Sequence, residues 1–339
     1  MNSRLDHIEI QKAGDLISHA NKIVLTCHYN PDGDAIGSCL GLQYILKKRG
    51  KEVTVIVPNN FPGFLRWMPG ASKIIINKQN PEKAKRIMKE ADLLICLDFN
   101  QASRLDSFLE VIKETAVKTI MIDHHLEPED FTDVLLSDPK ASSTGELIFD
   151  VANHLWGIES INQDAATCLY VAIMTDTGSF QYSCTTHKVH SIVAELLKTG
   201  IKPNEIYDAV YNQFSENRLK LYGFCLAERM EILPELNTGI IHLSQNDMKK
   251  FNVKKGDTEG IVNLPLQIKG IRMAVLLTER ESEVKISLRS KGLIDVSTFA
   301  RLYFNGGGHY NAAGGQSSDS LQQTIETLKK LIAERKISI

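Results

Sequence analysis

The chain has 339 residues, of which 43% are hydrophobic and 24% are charged, and its formal net charge is −2 at pH 7. This composition is typical of a globular protein that is long enough for two domains, each with its own core. The small net charge argues against the broad basic surface that a protein following a long phosphate backbone needs. Any nucleic-acid substrate is therefore expected to be short.

The sequence shows no membrane-spanning or secretory pattern. No apolar run approaches the roughly 20 residues that cross a bilayer, and the amino terminus lacks a basic segment followed by an apolar one. The six cysteines include no C-x-x-C pair, and most lie within apolar strand or helix patterns. We interpret them as reduced core residues of a cytoplasmic protein.

The first half of the chain alternates apolar strands with helical segments, which predicts a parallel sheet. A helix over 35–49 connects the first two strands. The strands are predicted over 23–27, 52–57, 93–97 and 118–122. Their nearly continuous apolar character is typical of strands that are buried on both faces.

Two helices are predicted to follow these strands. Ser143-Thr144-Gly145-Glu146 fits a capping box, with Ser143 as the N-cap, and begins a helix that ends near Trp156. A second helix over 163–175 places Asp176 at its end. These helices complete the pattern of a sheet with flanking helices.

The second half begins with a helical, increasingly polar stretch over about 186–229, which we interpret as a connector. A new set of strands follows, and Arg280-Glu281-Ser282-Glu283 fits a hairpin turn between two of them. The strands are predicted over 238–244, 272–279 and 284–290, and the helices over 295–303 and 318–335.

Carboxylates and histidines recur where the strands of the first half end. The cluster consists of His28, Asp32, Asp34, Asp98, Asp123, His124, His125 and Asp176. In an open parallel sheet, ligands bind outside the carboxyl ends of the strands. Oxygen and imidazole ligands without thiolates favour two divalent ions of the Mn²⁺ or Mg²⁺ kind, which can hold a phosphate and activate water.

A structural explanation competes with this one, because a single Asp after a strand is usually a cap or a turn residue and a single His is usually structural. Recurrence at one end of a sheet is not explained by capping. Burying so many carboxylates without cations would also leave strong repulsion. Asp32 and Asp34 are predicted to lie in a turn after Pro31, where Gly33 lets the two side chains face different ions.

Five motifs together carry a family resemblance. They are HYNPDGDAIGS (28–38), LDFN with Asp98, IDHH (122–125), TDTGSF (175–180) and GGGH (306–309). In this order they resemble the DHH phosphoesterase family over most of the chain. The resemblance implies an α/β protein with a parallel-sheet domain over 1–190, a connector over 191–230 and a smaller α/β substrate-binding domain over 231–339 across a cleft.

The resemblance also implies roles for the clustered residues. His28 and Asp32 would hold one Mn²⁺ ion and Asp34 and His124 a second, while Asp98 bridges both ions and Asp176 completes the site. Asp98 would serve catalysis together with two further residues. Asp123 would orient an imidazole, and His125 would contact the substrate or relay a proton.

Substrate contacts are expected from two other places. The glycines Gly306, Gly307 and Gly308 with His309 resemble the family's substrate-binding signature, in which backbone N–H groups hold a phosphate, although a glycine run is more often a simple loop. Arg289 is a natural bidentate partner for a terminal phosphate, and an exposed strand arginine without a ligand is the alternative. Arg104 is a weaker candidate near the metals.

The compact two-domain form that ends in GGGH resembles bacterial oligoribonucleases that also remove the 3′-phosphate of 3′-phosphoadenosine 5′-phosphate (pAp) by water activated between two metal ions. Short RNA oligonucleotides or small adenine nucleotides are the expected partners. No long nucleic acid tract and no membrane is expected, and a homodimer is compatible with the sequence.

Four other functions are weighed against this one. A cyclic di-AMP or pApA phosphodiesterase shares the metal motifs. A family II inorganic pyrophosphatase does not carry GGGH, a RecJ-like exonuclease should have further domains and a basic channel, and a nucleotide sensor without turnover does not require the full ligand set.

Overall fold

The computed structural model describes residues 5–105, 108–113, 115, 117–129, 131–254, 256–334 and 337. The chain divides into two compact units, Met1–Gln213 and Phe214–Ile339. This division lies within the predicted connector, whose own limits stay predictions. The predicted end of the last helix, residue 335, lies outside the described residues.

The first unit is built on a six-stranded sheet in which every pair is parallel. Its strands are β1 Lys22–Cys27, β2 Glu52–Val57, β3 Ile75–Ile76, β4 Leu93–Leu97, β5 Lys118–Asp123 and β6 Val134–Ser137. The strand order is β3-β2-β1-β4-β5-β6. The predicted parallel sheet is confirmed, and its order reverses between β1 and β4, which is where open α/β sheets bind ligands.

Eight helices accompany this sheet in the described part of the first unit. They are α1 His7–His19, α2 Gly33–Lys48, α3 Pro81–Lys89, α4 Phe108–Lys113, α5 Thr144–Trp156, α6 Gln163–Asp176, α7 His187–Leu197 and α8 Pro203–Tyr211. The strands β1, β4 and β5 contribute buried residues to hydrophobic clusters on both faces of the sheet. Burial on both faces explains why these strands are apolar throughout.

Glycines let α2 and α6 pack closely. A Cβ atom at Gly33 would lie 2.4 Å from Oγ1 of Thr175, and one at Gly37 would lie 2.6 Å from the carbonyl oxygen of Cys168. These distances are too short for any larger residue, so the two helices can be this close only with glycine at both positions. The start of α2 and the end of α6 are thereby brought together, and with them Asp34 and Asp176.

The second unit contains a mixed six-stranded sheet with the order β11-β12-β10-β9-β8-β7. Its strands are β7 Met230–Leu233, β8 Thr238–Leu243, β9 Met273–Glu279, β10 Val284–Ser290, β11 Gly307–His309 and β12 Ala312–Ser317. Its helices are α9 Glu216–Phe224, α10 Gln245–Lys250, α11 Val296–Tyr303 and α12 Leu321–Ala333. Only β8 and β9 are parallel, and the predicted α/β fold is confirmed.

One local prediction was wrong. Asp32 and Asp34 do not lie in a flexible turn, because Asp32 is the N-cap of α2, accepting a hydrogen bond from the N–H of Ala35, and Asp34 lies in the first helical turn. The alternative interpretation of the glycine stretch as a simple loop does not hold, since residues 307–309 form the edge strand β11.

The capping box at α5 is half correct. Ser143 is the N-cap, and its hydroxyl accepts from the N–H of Glu146. The carboxylate of Glu146, however, accepts from the N–H of Ser142 instead of that of Ser143.

Among the described residues, none of the helices combines the length and apolar character needed to span a bilayer.

Candidate active site

Three of the clustered residues lie where neighbouring strands end. His28 follows β1, Asp98 follows β4, and Asp123 is the last residue of β5. The N–H of Asp98 donates to the carbonyl oxygen of Ile122 (3.1 Å), so strand pairing continues one residue beyond β4. Asp98 has a φ of 65°, in the left-handed region that non-glycine residues rarely adopt and that is concentrated at functional sites.

The hydrogen bonds of His28 define which nitrogen faces the cluster. Nδ1 lies 2.9 Å from the carbonyl oxygen of Tyr29, and because a carbonyl only accepts, Nδ1 carries the proton. Nε2 lies 3.4 Å from Oδ2 of Asp98 and 3.8 Å from Oδ2 of Asp32. The lone pair of a neutral His28 therefore faces two carboxylates, an arrangement that favours a cation between them.

His124 faces a second group of carboxylates. Its Nε2 lies 3.2 Å from Oδ2 of Asp176, 3.6 Å from Oδ1 of Asp98 and 3.7 Å from Oδ2 of Asp34. Its Nδ1 lies 3.4 Å from the carbonyl oxygen of Ala141. His124 therefore presents the same nitrogen to its carboxylates as His28 does.

Asp98 lies between the two groups. Its Oδ2 is near Nε2 of His28, and its Oδ1 is near Nε2 of His124. Potential ligand atoms lie within 4.8 Å of one another in each of three groups, which are His28, Asp32 and Asp98, then Asp34, His124 and Asp176, and then Asp98, His124 and His125. The donor set consists of carboxylate oxygens and imidazole nitrogens, which suits a pair of divalent cations that share the carboxylate of Asp98.

Asp34 is held by backbone groups at the start of α5. Its Oδ2 accepts from the N–H of Thr144 (2.6 Å), and its Oδ1 accepts from the N–H of Gly145 and the hydroxyl of Ser38, each at 3.0 Å. The hydroxyl of Thr144 also donates to Oδ1 of Asp98 (3.1 Å). A helix amino terminus stabilises such negative charge, so one turn of α5 fixes both carboxylates.

The pKa values of the cluster reflect buried charge. Burial, reinforced by Asp98 and Asp176, raises the pKa of Asp34 well above its ordinary value, and burial raises the pKa of Asp176 to about 6. Burial disfavours the charged forms of His28 and His124, but their carboxylate partners outweigh it and raise both pKa values. Without metal the cluster retains protons, for which bound cations would substitute.

Asp98 differs from Asp34 and Asp176 in the direction of its pKa shift. Burial opposes its ionisation, but hydrogen bonds to His124 and His28 outweigh that effect and hold its pKa well below the ordinary value. Its side chain therefore stays negatively charged at lower pH than those of Asp34 and Asp176. This is the property expected of a carboxylate shared by two cations.

Asp123 and His125 form a separate pair beside these ligands. The buried carboxylate of Asp123 accepts from the backbone N–H of His125 (2.8 Å) and from Nδ1 of its ring (2.7 Å). Nε2 of His125 lies 3.3 Å from Nη1 of Arg104, which can only donate. The ring is held at both nitrogens, and Nδ1 lies 3.9 Å from Oδ1 of Asp98.

The second unit places the other predicted residues on one sheet face. In the register of β10, β12 and β11, Arg289 is opposite Ala312, which is opposite His309. Residues directly opposite one another in antiparallel strands share a face, so Arg289 and His309 are separated only by a small side chain. β11 is an edge strand, which leaves a row of its backbone groups outside the ladder.

Gly307 and Gly314 lie on the sheet beside Arg289 and His309. Ser287 is opposite Gly314, which is opposite Gly307. A Cβ at Gly307 would meet nothing within 4 Å, whereas one at Gly306 would lie 1.9 Å from the carbonyl oxygen of Gly314. Gly306 is thus required for backbone packing, while Gly307 and Gly314 leave an open, flat surface.

Comparisons with known proteins agree with this architecture. The model of the DHH family, N-terminal domain, matches residues 22–173, and the DHHA1 domain matches residues 237–335. The bifunctional oligoribonuclease and PAP phosphatase NrnA of Thermus thermophilus is 31% identical over 92% of this chain and 89% of its own length. The chain belongs to the DHH phosphoesterase family. It is therefore a metal-dependent phosphoesterase.

Two further proteins resemble this DHH phosphoesterase over nearly their whole lengths. The NrnA protein of Bacillus subtilis is 28% identical over 93% of this chain and 96% of its own. The crystal structure of an exopolyphosphatase-related protein from Bacteroides fragilis has a TM-score of 0.96 and 39% identity, and the match covers 99% of this chain and 98% of that one. The predicted family and enzyme class are confirmed.

The DHH phosphoesterase also has site residues that sequence reasoning missed. Thr144 and Gly145 were interpreted only as part of a helix cap, and nothing in their local sequence indicates that they reach Asp34, 110 residues away. Sequence reasoning also did not single out Lys285 and Ser287, which lie on the same face of β10 as Arg289. Their alternation with Arg289 along an apolar strand was the available signal, since alternate strand residues share a face.

Proposed function

We propose that this DHH phosphoesterase hydrolyses very short RNA oligonucleotides and removes the 3′-phosphate of pAp, with two Mn²⁺ ions as cofactors. The observation that supports it best is Asp98, whose two oxygens face the imidazoles of His28 and His124. A carboxylate so placed suits two cations at one phosphate. The names of the NrnA relatives, oligoribonuclease and PAP phosphatase, support the substrate class.

The proposed ligands follow the two groups of the cluster. His28 and Asp32 would hold one ion, Asp34, His124 and Asp176 the other, and Asp98 both. Oxygen and imidazole donors without thiolates favour Mn²⁺ over a thiolate-selected metal. When bound, the ions would lower the pKa of water and stabilise charge on the oxygens around phosphorus.

His125 and Arg104 would act on the substrate side of the ions. Asp123 holds the His125 ring through Nδ1, which leaves Nε2 as the atom that can exchange a proton with a phosphate oxygen or a leaving hydroxyl. Arg104 already directs a guanidinium nitrogen to that atom. It would stabilise the negative charge of a phosphate there.

The second unit would bind the nucleotide. The guanidinium of Arg289 and the imidazole of His309 lie on the same sheet face, with a flat surface of Gly307 and Gly314 beside them. Arg289 would pair with a terminal phosphate. A face of limited extent with few cations suits a short oligonucleotide better than a long strand.

The test is Mn²⁺-dependent hydrolysis, measured in parallel on RNA from two to about ten nucleotides long, pAp, pApA, cyclic di-AMP and pyrophosphate. We expect the shortest RNAs and pAp to be hydrolysed fastest. Preference for cyclic di-AMP or pyrophosphate would contradict the proposal, and tight nucleotide binding without turnover would indicate a sensor.

Two variants at proposed site residues and one control variant refine this test. Asp98→Asn should abolish hydrolysis and lower the Mn²⁺ content. Asp133→Asn alters a peripheral ion pair with Lys118 and hydrogen bonds to Thr119, and it should retain both. Arg289→Ala should raise KM with Mn²⁺ content unchanged. Near-normal turnover by Asp98→Asn in Mn²⁺-replete buffer would refute the shared-carboxylate assignment.

A further inference from the structure

The outward face of β10 carries a row of polar side chains that extends beyond Arg289. Lys285, Ser287 and Arg289 alternate with Ile286 and Leu288, which are buried in the core on the other face. Lys285 is exposed, and Ser287 is half-buried. Side chains at alternate positions of a strand lie about 6.8 Å apart, which is comparable to the separation of successive phosphates in an extended nucleic-acid strand.

The surface beside this row is open. Lys285, Ser287 and Arg289 are opposite Gln316, Gly314 and Ala312 of β12. A Cβ at Gly314 would meet only the carbonyl oxygen of Ile286, at 3.7 Å. On the β12 side, a nucleic-acid strand beside Ser287 and Arg289 would therefore meet only glycine and alanine, and Gln316 lies next to Lys285.

The charges around Lys285 leave the row positive. Arg280 and Arg289 are cations near Lys285, and Glu259 and Glu283 are carboxylates near it. Arg280 and Glu283 pair with each other at 3.6 Å. Together with Lys285, these groups comprise three cations and two carboxylates. An anion beside Lys285 would thus be attracted.

We propose that Lys285 and Ser287 form a second anion subsite, which binds the phosphate next to the one held by Arg289. The substrate class it selects is an oligonucleotide with at least two phosphates in sequence, as opposed to a mononucleotide. This inference rests on the proposed function, since it extends the same substrate site.

Affinity measured without metal tests the subsite independently of turnover. In calorimetric titrations with AMP, pApA and pApApA, Lys285→Ala should weaken the binding of pApA and pApApA by about fivefold, lower the salt dependence by about one ion, and leave AMP unchanged. Lys249→Ala, an exposed lysine on α10, is the matched control. Equal losses for all three ligands, or none, would overturn the subsite, whereas absence of hydrolysis by the wild type would overturn only the proposed function.

A second inference rests on different contacts, those of Thr144. This fully buried residue donates its hydroxyl to Oδ1 of Asp98 (3.1 Å) and its backbone N–H to Oδ2 of Asp34 (2.6 Å). Asp34 belongs to the group around His124, and Asp98 contacts both His28 and His124 through its two oxygens. We infer that Thr144 is a positioning residue whose hydroxyl fixes the shared carboxylate in the orientation that two cations need.

Mn²⁺ affinity tests this role without an activity readout. Thr144→Val keeps the shape and removes the hydroxyl, and should weaken Mn²⁺ binding roughly 10- to 100-fold, while Thr144→Ser should restore most of it. Thr26→Val is the control, because the buried Thr26 hydroxyl in β1 has no hydrogen-bond partner within the described chain. Wild-type Mn²⁺ affinity in Thr144→Val, or equal losses in Thr144→Val and Thr144→Ser with both folded by circular dichroism, would overturn the role.

Discussion

The ammonium group of Lys188 lies 2.5 Å from Oδ2 of Asp150, and both side chains are almost fully buried, with 7% and 3% exposed. The same ammonium lies 3.1 Å from Oε1 of Glu146. The other oxygen of Glu146 accepts from the N–H and the hydroxyl of Ser142, each at 2.9 Å. This ion cluster therefore fixes the turn at the start of α5. The backbone N–H groups of that turn donate to Asp34.

Removing the cation from this cluster should destabilise the protein. Lys188→Met removes the ammonium group that both buried carboxylates contact, so we expect the free energy of unfolding in urea to fall by about 3–5 kcal/mol. Lys198→Met, which breaks an exposed pair with Glu195, should cost no more than about 1 kcal/mol. Equal losses of unfolding free energy in the two variants would show that the buried ion cluster stabilises the protein no more than an exposed ion pair does.

The two adjacent histidines should differ in their effect on metal content. Nε2 of His124 faces three carboxylates, whereas His125 is held by Asp123 and Arg104. His124→Asn should therefore lose bound Mn²⁺, and His125→Asn should keep it while turnover falls by a factor of about 100 or more. Metal analysis and kcat of the purified variants measure both. Loss of Mn²⁺ in His125→Asn would instead make His125 a ligand.

The stabilisation by Mn²⁺ should increase with pH. Without metal, the raised pKa of Asp176, about 6 against an ordinary 3.8, contributes stability at low pH that is lost as pH rises through that interval. The raised pKa values of His28 and His124 contribute stability below 6.5 that is lost as pH rises through the folded-state values. Both effects have the same sign, so the metal-free protein loses stability towards alkaline pH.

Thermal unfolding with EDTA and with Mn²⁺, from about pH 5 to about pH 8, measures this dependence. We expect the difference in Tm between the two conditions to be small at the acidic end and large at the alkaline end, since Mn²⁺ and protons compete for the same groups. In Asp176→Asn the difference should vary less with pH. A difference that is constant across the range would contradict the competition.

The sequence predicts the assembly of the cluster because parallel strands end at one edge of their sheet. His28, Asp98 and Asp123 occupy these ends as expected. The exact start of α2 was not predictable from Pro31 and Gly33, because it depends on the N-cap bond of Asp32. The contact of Asp34 with Thr144 joins residues far apart in sequence, and local patterns carry no information about it.

In the second unit too, the sequence predicts elements with a regular side-chain pattern and misses those that depend on distant contacts. β10 was predicted with its observed bounds because its buried and outward residues alternate. β7 was missed, since its four residues are all half-buried and show no alternation. β11 was missed because a glycine run has no alternation of apolar and polar side chains. The pairing of β11 depends on the close approach of Gly306 to Gly314.

The close packing of α2 against α6 should make Gly37 intolerant of even one methyl group. A Cβ there would lie 2.6 Å from the carbonyl oxygen of Cys168, which is backbone and cannot turn aside. Gly37→Ala should therefore force the helices apart, lower the free energy of unfolding by about 1–3 kcal/mol, and weaken Mn²⁺ binding by displacing Asp34 from Asp176. Gly223, also helical, would have nothing within 4 Å of an added Cβ, so Gly223→Ala should stabilise α9 by up to about 1 kcal/mol. If both substitutions stabilise the protein, the glycines of α2 are not what brings the two ends of the metal site together.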